Sequence, residues 1–221
     1  MGTVTEVTMR DKDGLDAALF VAWLTAAADA VAKEAPRLTE LDSAIGDGDH
    51  GTNLKRGFAA VAAKLAQEPP ATPGATLQLT GRQLISTVGG ASGPLYGSVF
   101  RAAGKALGDA ESADVPALAA AFAAGLEALA RLGGASVGDK TMLDAFTPAV
   151  EALRAAAEDG LLPGQALDLA ARAAEEGAQE TAPLRARKGR ASYLGERSEG
   201  HLDPGAVSTA LLWRTLADAA A

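Results

Sequence analysis

Apolar residues recur at helical spacing along almost the whole of this chain, and that periodicity restricts its fold more than any other feature. Leu54, Phe58, Val61 and Leu65 follow the i, i+4, i+7, i+11 pattern of one helical face, and Phe146, Val150, Leu153 and Ala157 repeat it. Gly and Pro cut the pattern into eight pieces, predicting helices at 14–34, 52–67, 75–89, 93–108, 115–132, 141–158, 163–184 and 204–220. Thr52 and Asp203 read as helix caps, and Pro204 suits a first helical position. Strand-like alternation is confined to residues 3–9, an extended tail or one short strand. The expected fold is all-α, with antiparallel helices and short connections packed as a bundle or closed ring. Residues 1–14 read as an N-terminal tail and 15–221 as a single domain.

Composition supports this. Hydrophobic residues make up 48% of the chain but aromatics only 4%, with alanine supplying much of the rest. Alanine is the best helix former and lets helices approach closely. A net charge of −8 argues against a nucleic-acid partner, whose phosphates need a basic face. Cysteine is absent, which excludes disulfides and thiolate metal sites. The N-terminus lacks the apolar core of a signal peptide, and charged residues interrupt every apolar run before it reaches membrane-spanning length. The expectation is a soluble, cytoplasmic protein with no membrane partner.

Three glycine-rich connections break the pattern of short polar turns, and loops of that kind commonly carry function. In the first, Asp42, Asp47 and Asp49 lie within eight residues and alternate with Gly46, Gly48 and Gly51. Carboxylates this close repel one another unless a cation or solvent intervenes, and an all-oxygen donor set suits a hard ion, Mg²⁺ or Ca²⁺. An EF-hand counted from Asp47 would need Asp or Asn at 51, Gly at 52 and Glu at 58; the chain has Gly51, Thr52 and Phe58. His50, Gly51, Thr52 and Asn53 then open a helix, whose free N–H groups attract phosphate. A solvated Asp-Gly turn that caps the helix is the competing reading.

The second connection, Gly89-Gly90-Ala91-Ser92-Gly93-Pro94-Leu95-Tyr96-Gly97, is small enough to admit a phosphate, but also reads as a tight interhelical turn. It is neither a Walker A loop nor a dinucleotide fingerprint. The third, 185–205, gathers five of the chain's twenty cationic residues into thirteen positions. Arginine forks match phosphate oxygens, and so long an irregular connection in a compact domain suits a lid. The alternative is an exposed loop solvated by its own charges. Gly138-Asp139-Lys140-Thr141-Met142 reads as turn chemistry, with Met142 a core residue by type.

Together these motifs resemble the L-type domain family of dihydroxyacetone kinases. The resemblance is carried by Leu41-Asp42 with 46–51, by 89–97, by 138–142, and by 186–198 running into His201-Leu202-Asp203-Pro204-Gly205, and it covers about 15–220. It implies a barrel of eight amphipathic antiparallel helices with a nucleotide, ADP or ATP, held at one end through two Mg²⁺ ions. It implies Asp42, Asp47 and Asp49 as metal ligands and His50, Gly51, Thr52, Asn53, Ala91 and Ser92 as phosphate contacts. Gly133 and Met142 would line the nucleotide pocket, against the core reading of Met142, and Arg190, Asp203, Pro204 and Gly205 would complete it.

The family divides in two. In one branch this domain is fused to a substrate domain and consumes ATP. In the other it is a separate subunit whose bound ADP is recharged in place by a phosphotransferase-system M subunit. The length of this chain favours the second branch. The phosphoryl group would then pass to dihydroxyacetone held on a partner K subunit, and neither His50 nor His201 would hold the substrate. Two other readings stay open: a freestanding ATP-dependent kinase domain for dihydroxyacetone or another short ketose, and a nucleotide-sensing module for a regulator.

Overall fold

The computed structural model describes residues 14–221, so the candidate strand at 3–9 lies outside the described residues. Eight α-helices account for most of the chain: α1 (Ala17–Ile45), α2 (His50–Gln67), α3 (Pro73–Thr87), α4 (Ser92–Leu107), α5 (Val115–Gly133), α6 (Leu143–Glu158), α7 (Pro163–Glu180) and α8 (Pro204–Ala219). A 3₁₀ segment, Arg190–Ser198, lies inside the long basic connection. Two short strands, β1 (Leu15–Asp16) and β2 (Ser112–Ala113), pair antiparallel. The all-α expectation holds, with that clasp added.

Local chemistry explains the helix starts. Asp16, Thr72, Asp114 and Asp203 each accept a bond from a first-turn N–H, at 2.9, 3.1, 2.8 and 2.7 Å. Proline occupies the first turn of α3, α5, α7 and α8, where its missing N–H costs nothing.

Two sequence expectations need correction. The first helix does not stop at 34; it runs through Pro36 to Ile45. Val31, Ala35, Leu38, Asp42 and Ile45 continue one buried stripe while Pro36 lies on the exposed side, so burial of the stripe outweighs the hydrogen bond that proline removes. Asp42 therefore sits on a helix rather than in a loop. Thr52 is not a cap either, because α2 begins at His50 and Asp49 is the residue before it.

Successive helices pack on one another, and α8 returns to α1, so neighbour contacts close into a ring. Small residues allow the tightest approach: a methyl on Gly81 of α3 would meet the carbonyl of Gly97 on α4, and one on Gly104 would meet that of Gly74. The helix α5 is long and apolar enough to cross a membrane by length and composition alone, but half of it is buried against its neighbours. An aromatic cluster fills the core. Trp23 lies 5.8 Å from Phe20 and 6.3 Å from Phe122, and Trp213 lies 4.7 Å from Phe122 and 5.6 Å from Phe146, ring centre to ring centre. Edge-on and tilted geometries of this kind are the favoured ones for aromatic pairs.

Candidate functional site

A cleft of about 500 Å³ opens where segments far apart in sequence converge. Its wall is drawn from the end of α1, the start of α2, the 89–91 turn with the start of α4, the end of α5, the turn at 140–143, the 188–191 stretch and the start of α8. All of the motifs singled out in the sequence meet here. Asp42, Asp47, Asp49, His50, Ala91, Ser92, Gly133, Met142, Arg190, Asp203, Pro204 and Gly205 all line it. Gly51, Thr52 and Asn53 follow on the first turn of α2 but do not line the cleft.

The acidic corner is organised by Asp42. Its Oδ2 accepts the backbone N–H groups of Asp49 at 2.8 Å and His50 at 3.1 Å, so the carboxylate of one helix caps the next. Gly46 is required beside it, because a methyl there would strike Asp42 Oδ1. Gly51 is required one turn on, where α2 meets the Ala35 carbonyl of α1. Asp42, Asp47 and Asp49 each offer an oxygen, and these atoms lie within 4.8 Å of one another. Nε of Arg190 reaches Oδ2 of Asp47 at 3.0 Å, bringing the basic connection across the cleft. The donor set is all carboxylate oxygen, and the cap uses only one oxygen of Asp42, so these residues fit a hard cation such as magnesium.

Behind this corner runs a buried hydrogen-bonded chain. His50 Nδ1 meets Ser92 Oγ at 3.2 Å, and Nε2 meets Ser208 Oγ at 2.9 Å. Ser208 in turn meets the Tyr96 hydroxyl at 2.7 Å, which also reaches Thr209 at 3.0 Å. Burial pushes the His50 pKa down against the opposing charges of Asp42 and Asp49, keeping the ring neutral with one nitrogen donating and one accepting. The first turns of α4 are thereby tied to α2 and α8. Burial likewise pushes the Tyr96 hydroxyl up, so it stays protonated.

At the opposite wall, Asp203 caps α8 and its pKa is pushed up to about 7, chiefly by burial and further by Asp144 and Asp42; the Ala206 N–H and Lys140 oppose the rise. Asp144 organises the neighbouring turn, accepting Gly138 N–H at 2.5 Å and Thr141 N–H at 2.7 Å. Sequence reasoning did not single out Ser208 or Lys140 as site residues. Ser208 lies in an ordinary helical pattern, and lysine in a Gly-Asp-Lys turn looks solvent-facing, yet Lys140 is 1% exposed.

Residues 44–218 match the family model described as "DAK2 domain". The chain is 46% identical over 201 residues to the "PEP-dependent dihydroxyacetone kinase, ADP-binding subunit DhaL" of Escherichia coli, covering 91% of this chain and 96% of that one. It is 42% identical over 214 residues to the "D-erythrulose kinase" of Mycolicibacterium smegmatis, covering 95% of this chain but 37% of that one. The crystal structure of the dihydroxyacetone kinase from C. freundii with AMP-PNP and Mg²⁺ superposes with a TM-score of 0.72 at 28% identity. That alignment covers 99% of this chain and 37% of the solved one.

Proposed function

This chain belongs to the DAK2 domain family, and from that premise we propose that it is the ADP-binding subunit of a phosphoenolpyruvate-dependent dihydroxyacetone kinase. The observation that carries this reading is the convergence of three carboxylates, a small-residue loop and a cationic connection on one cleft. Its correspondence over 96% of the E. coli ADP-binding subunit supports the separate-subunit form.

Asp42, Asp47 and Asp49 would hold two magnesium ions, with the carboxylates facing the cleft from α1 and the loop before α2. Magnesium bound there would neutralise phosphate charge and help orient the nucleotide. The first turn of α2, His50 to Asn53, and the backbone at Ala91 and Ser92 would meet the phosphates, with Ser92 positioned by His50. Gly133 and Met142 would flank the base, beside the exposed Leu132. Arg190 would neutralise charge on the transferring group, and Asp203, Pro204 and Gly205 would close the pocket. The chain's part in the reaction is positioning and charge neutralisation, and it supplies no covalent substrate site. Dihydroxyacetone would be presented by a K subunit and ADP recharged in place by a phosphotransferase-system M subunit, in the cytoplasm.

Mass spectrometry of the ligand released from the purified chain tests this directly. ADP is the expected ligand, and Asp47→Ala is expected to lose it with helicity retained. A variant that still copurifies with ADP overturns the metal assignment. Similarity to an erythrulose kinase supports a second reading, direct use of ATP on a short ketose. Turnover with a K-type partner and ATP alone, without phosphoenolpyruvate, would favour it.

A further inference from the structure

Lys140 is the most deeply buried cation among the described residues, and the function above gives it no part. It also holds φ at +61°, the one positive-φ residue other than glycine among them. A side chain in that region is strained by about 1–2 kcal/mol, so something specific holds it there. The ammonium has three donors. One bonds the Thr181 carbonyl at 2.7 Å, one lies 3.3 Å from the Ala182 carbonyl, and one meets the His201 carbonyl.

Those partners are at the two ends of one connection. Thr181 and Ala182 follow the last turn of α7, where unpaired carbonyls and the helix dipole favour a cation. His201 stands just before Asp203, the cap of α8. Two further bonds cross the same neck, Gly200 N–H to the Ala182 carbonyl at 2.8 Å and Asp203 N–H to Thr181 Oγ1 at 2.9 Å. A third tie joins the Lys140 turn to the connection itself, Arg187 N–H to the Asp139 carbonyl at 3.0 Å. Between these ends lies the stretch that carries Lys188 and Arg190 into the cleft. Asp144 sets the turn that presents the lysine, by accepting the N–H groups on either side of it.

We infer that Lys140 is a positioning residue for nucleotide retention: its ammonium cross-links the two ends of the 181–203 connection, and so keeps Arg190 over the acidic corner. This rests on the nucleotide-site reading above. Without the cross-link, the ends separate more readily, and closing a loop of this length again carries an entropic penalty. The expected consequence is faster nucleotide release, with the helical ring unchanged.

Three variants of the full chain test this. Lys140→Met removes the charge and keeps the strained backbone, whereas Lys140→Gly removes both. ADP release in the presence of Mg²⁺ should accelerate by about tenfold in each, the effect of losing one charge-assisted hydrogen bond. Hydrogen exchange on the nucleotide-free chain should rise in 181–203 and stay at the wild-type level in α1, α4 and α5. In the third variant, Lys140→Cys, the introduced thiol is the only one in the chain. Alkylating it with 2-bromoethylamine rebuilds a lysine-like ammonium and should restore slow release.

If Lys140→Gly retains ADP like the wild type, the lysine acts only through backbone strain and the inference fails. It also fails if exchange rises equally throughout the helices, or if the rebuilt ammonium rescues nothing. A wild-type chain that does not retain ADP would sink the nucleotide-site reading instead, while the exchange measurement still decides the cross-link.

Discussion

Asp168 and Glu175 on α7 form one cluster of carboxylates; Asp42, Asp47 and Asp49 around the start of α2 form another. The first is fully paired. Arg214 donates Nε and Nη2 to the two oxygens of Glu175, at 2.8 and 3.0 Å, and Nη1 to Asp168 at 2.8 Å, while Arg172 reaches the other oxygen of Asp168. Arg214 and then Arg172 hold the Asp168 carboxyl below the usual carboxylate range, and Glu175 and Asp168 push the Arg214 guanidinium up. In the second cluster, three carboxylates share one ion pair among the described residues, that of Asp47 with the exposed Arg190. Clustered acid in the sequence thus hides two kinds of site. Paired charge belongs to helix packing, and convergent, underpaired charge belongs to ligand chemistry.

Four substitutions probe that contrast, in descending order of effect. Arg190→Ala should reduce turnover by about a thousandfold if its guanidinium neutralises the transferring group, measured in the reconstituted reaction. A loss of only a few-fold would reduce Arg190 to a partner of Asp47. Asp42→Asn keeps an oxygen to cap α2 but removes the charge, so Mg-dependent ADP affinity should fall by about a hundredfold by calorimetry, with melting little changed. Melting that collapses while binding persists would make Asp42 a packing residue like Asp168.

Asp203→Asn should change the pH dependence of stability. With its pKa pushed up to about 7, Asp203 keeps a proton in the folded chain through the range between the unfolded carboxyl value and 7. Folding therefore takes up a proton there, and this contribution to stability is lost as pH rises from about 4 to 7. His50 is pushed the opposite way by burial, so its contribution to stability rises with pH. The difference between variant and wild type isolates Asp203, and between pH 5 and 8 it should move by about 2 kcal/mol in denaturant titrations of the nucleotide-free chain. Arg214→Leu is the smallest effect: Tm should fall by about 2–4 °C with ADP affinity unchanged. An affinity change would show that the paired cluster also serves the cleft.

The helices were legible because each must bury one face, and burial at helical spacing leaves a mark in a single sequence. Pro36 reads as a helix stop, but burial of the stripe from Val31 to Ile45 carries the helix through it. The cleft-lining motifs were legible because clustered glycine, carboxylate and arginine stand out against an alanine-rich helical background. Lys140, Ser208 and the β1–β2 clasp were not. Each depends on partners far away in the chain: Ser208 meets a histidine 158 residues earlier, and Lys140 holds carbonyls 41 to 61 residues later. No local pattern encodes such a pairing, since a carbonyl acceptor is present at every residue.

The aromatic core divides the chain optically. Both tryptophans are buried in one cluster, so their emission reports the integrity of the helical ring and little else. The two tyrosines divide the other way: Tyr96 is buried with its hydroxyl bonded, whereas Tyr193, on the basic connection, is 90% exposed. A quencher in solution therefore addresses the connection through one residue. Excitation at the red edge of the tryptophan band addresses the core, and the two movements can be followed in one unlabelled sample.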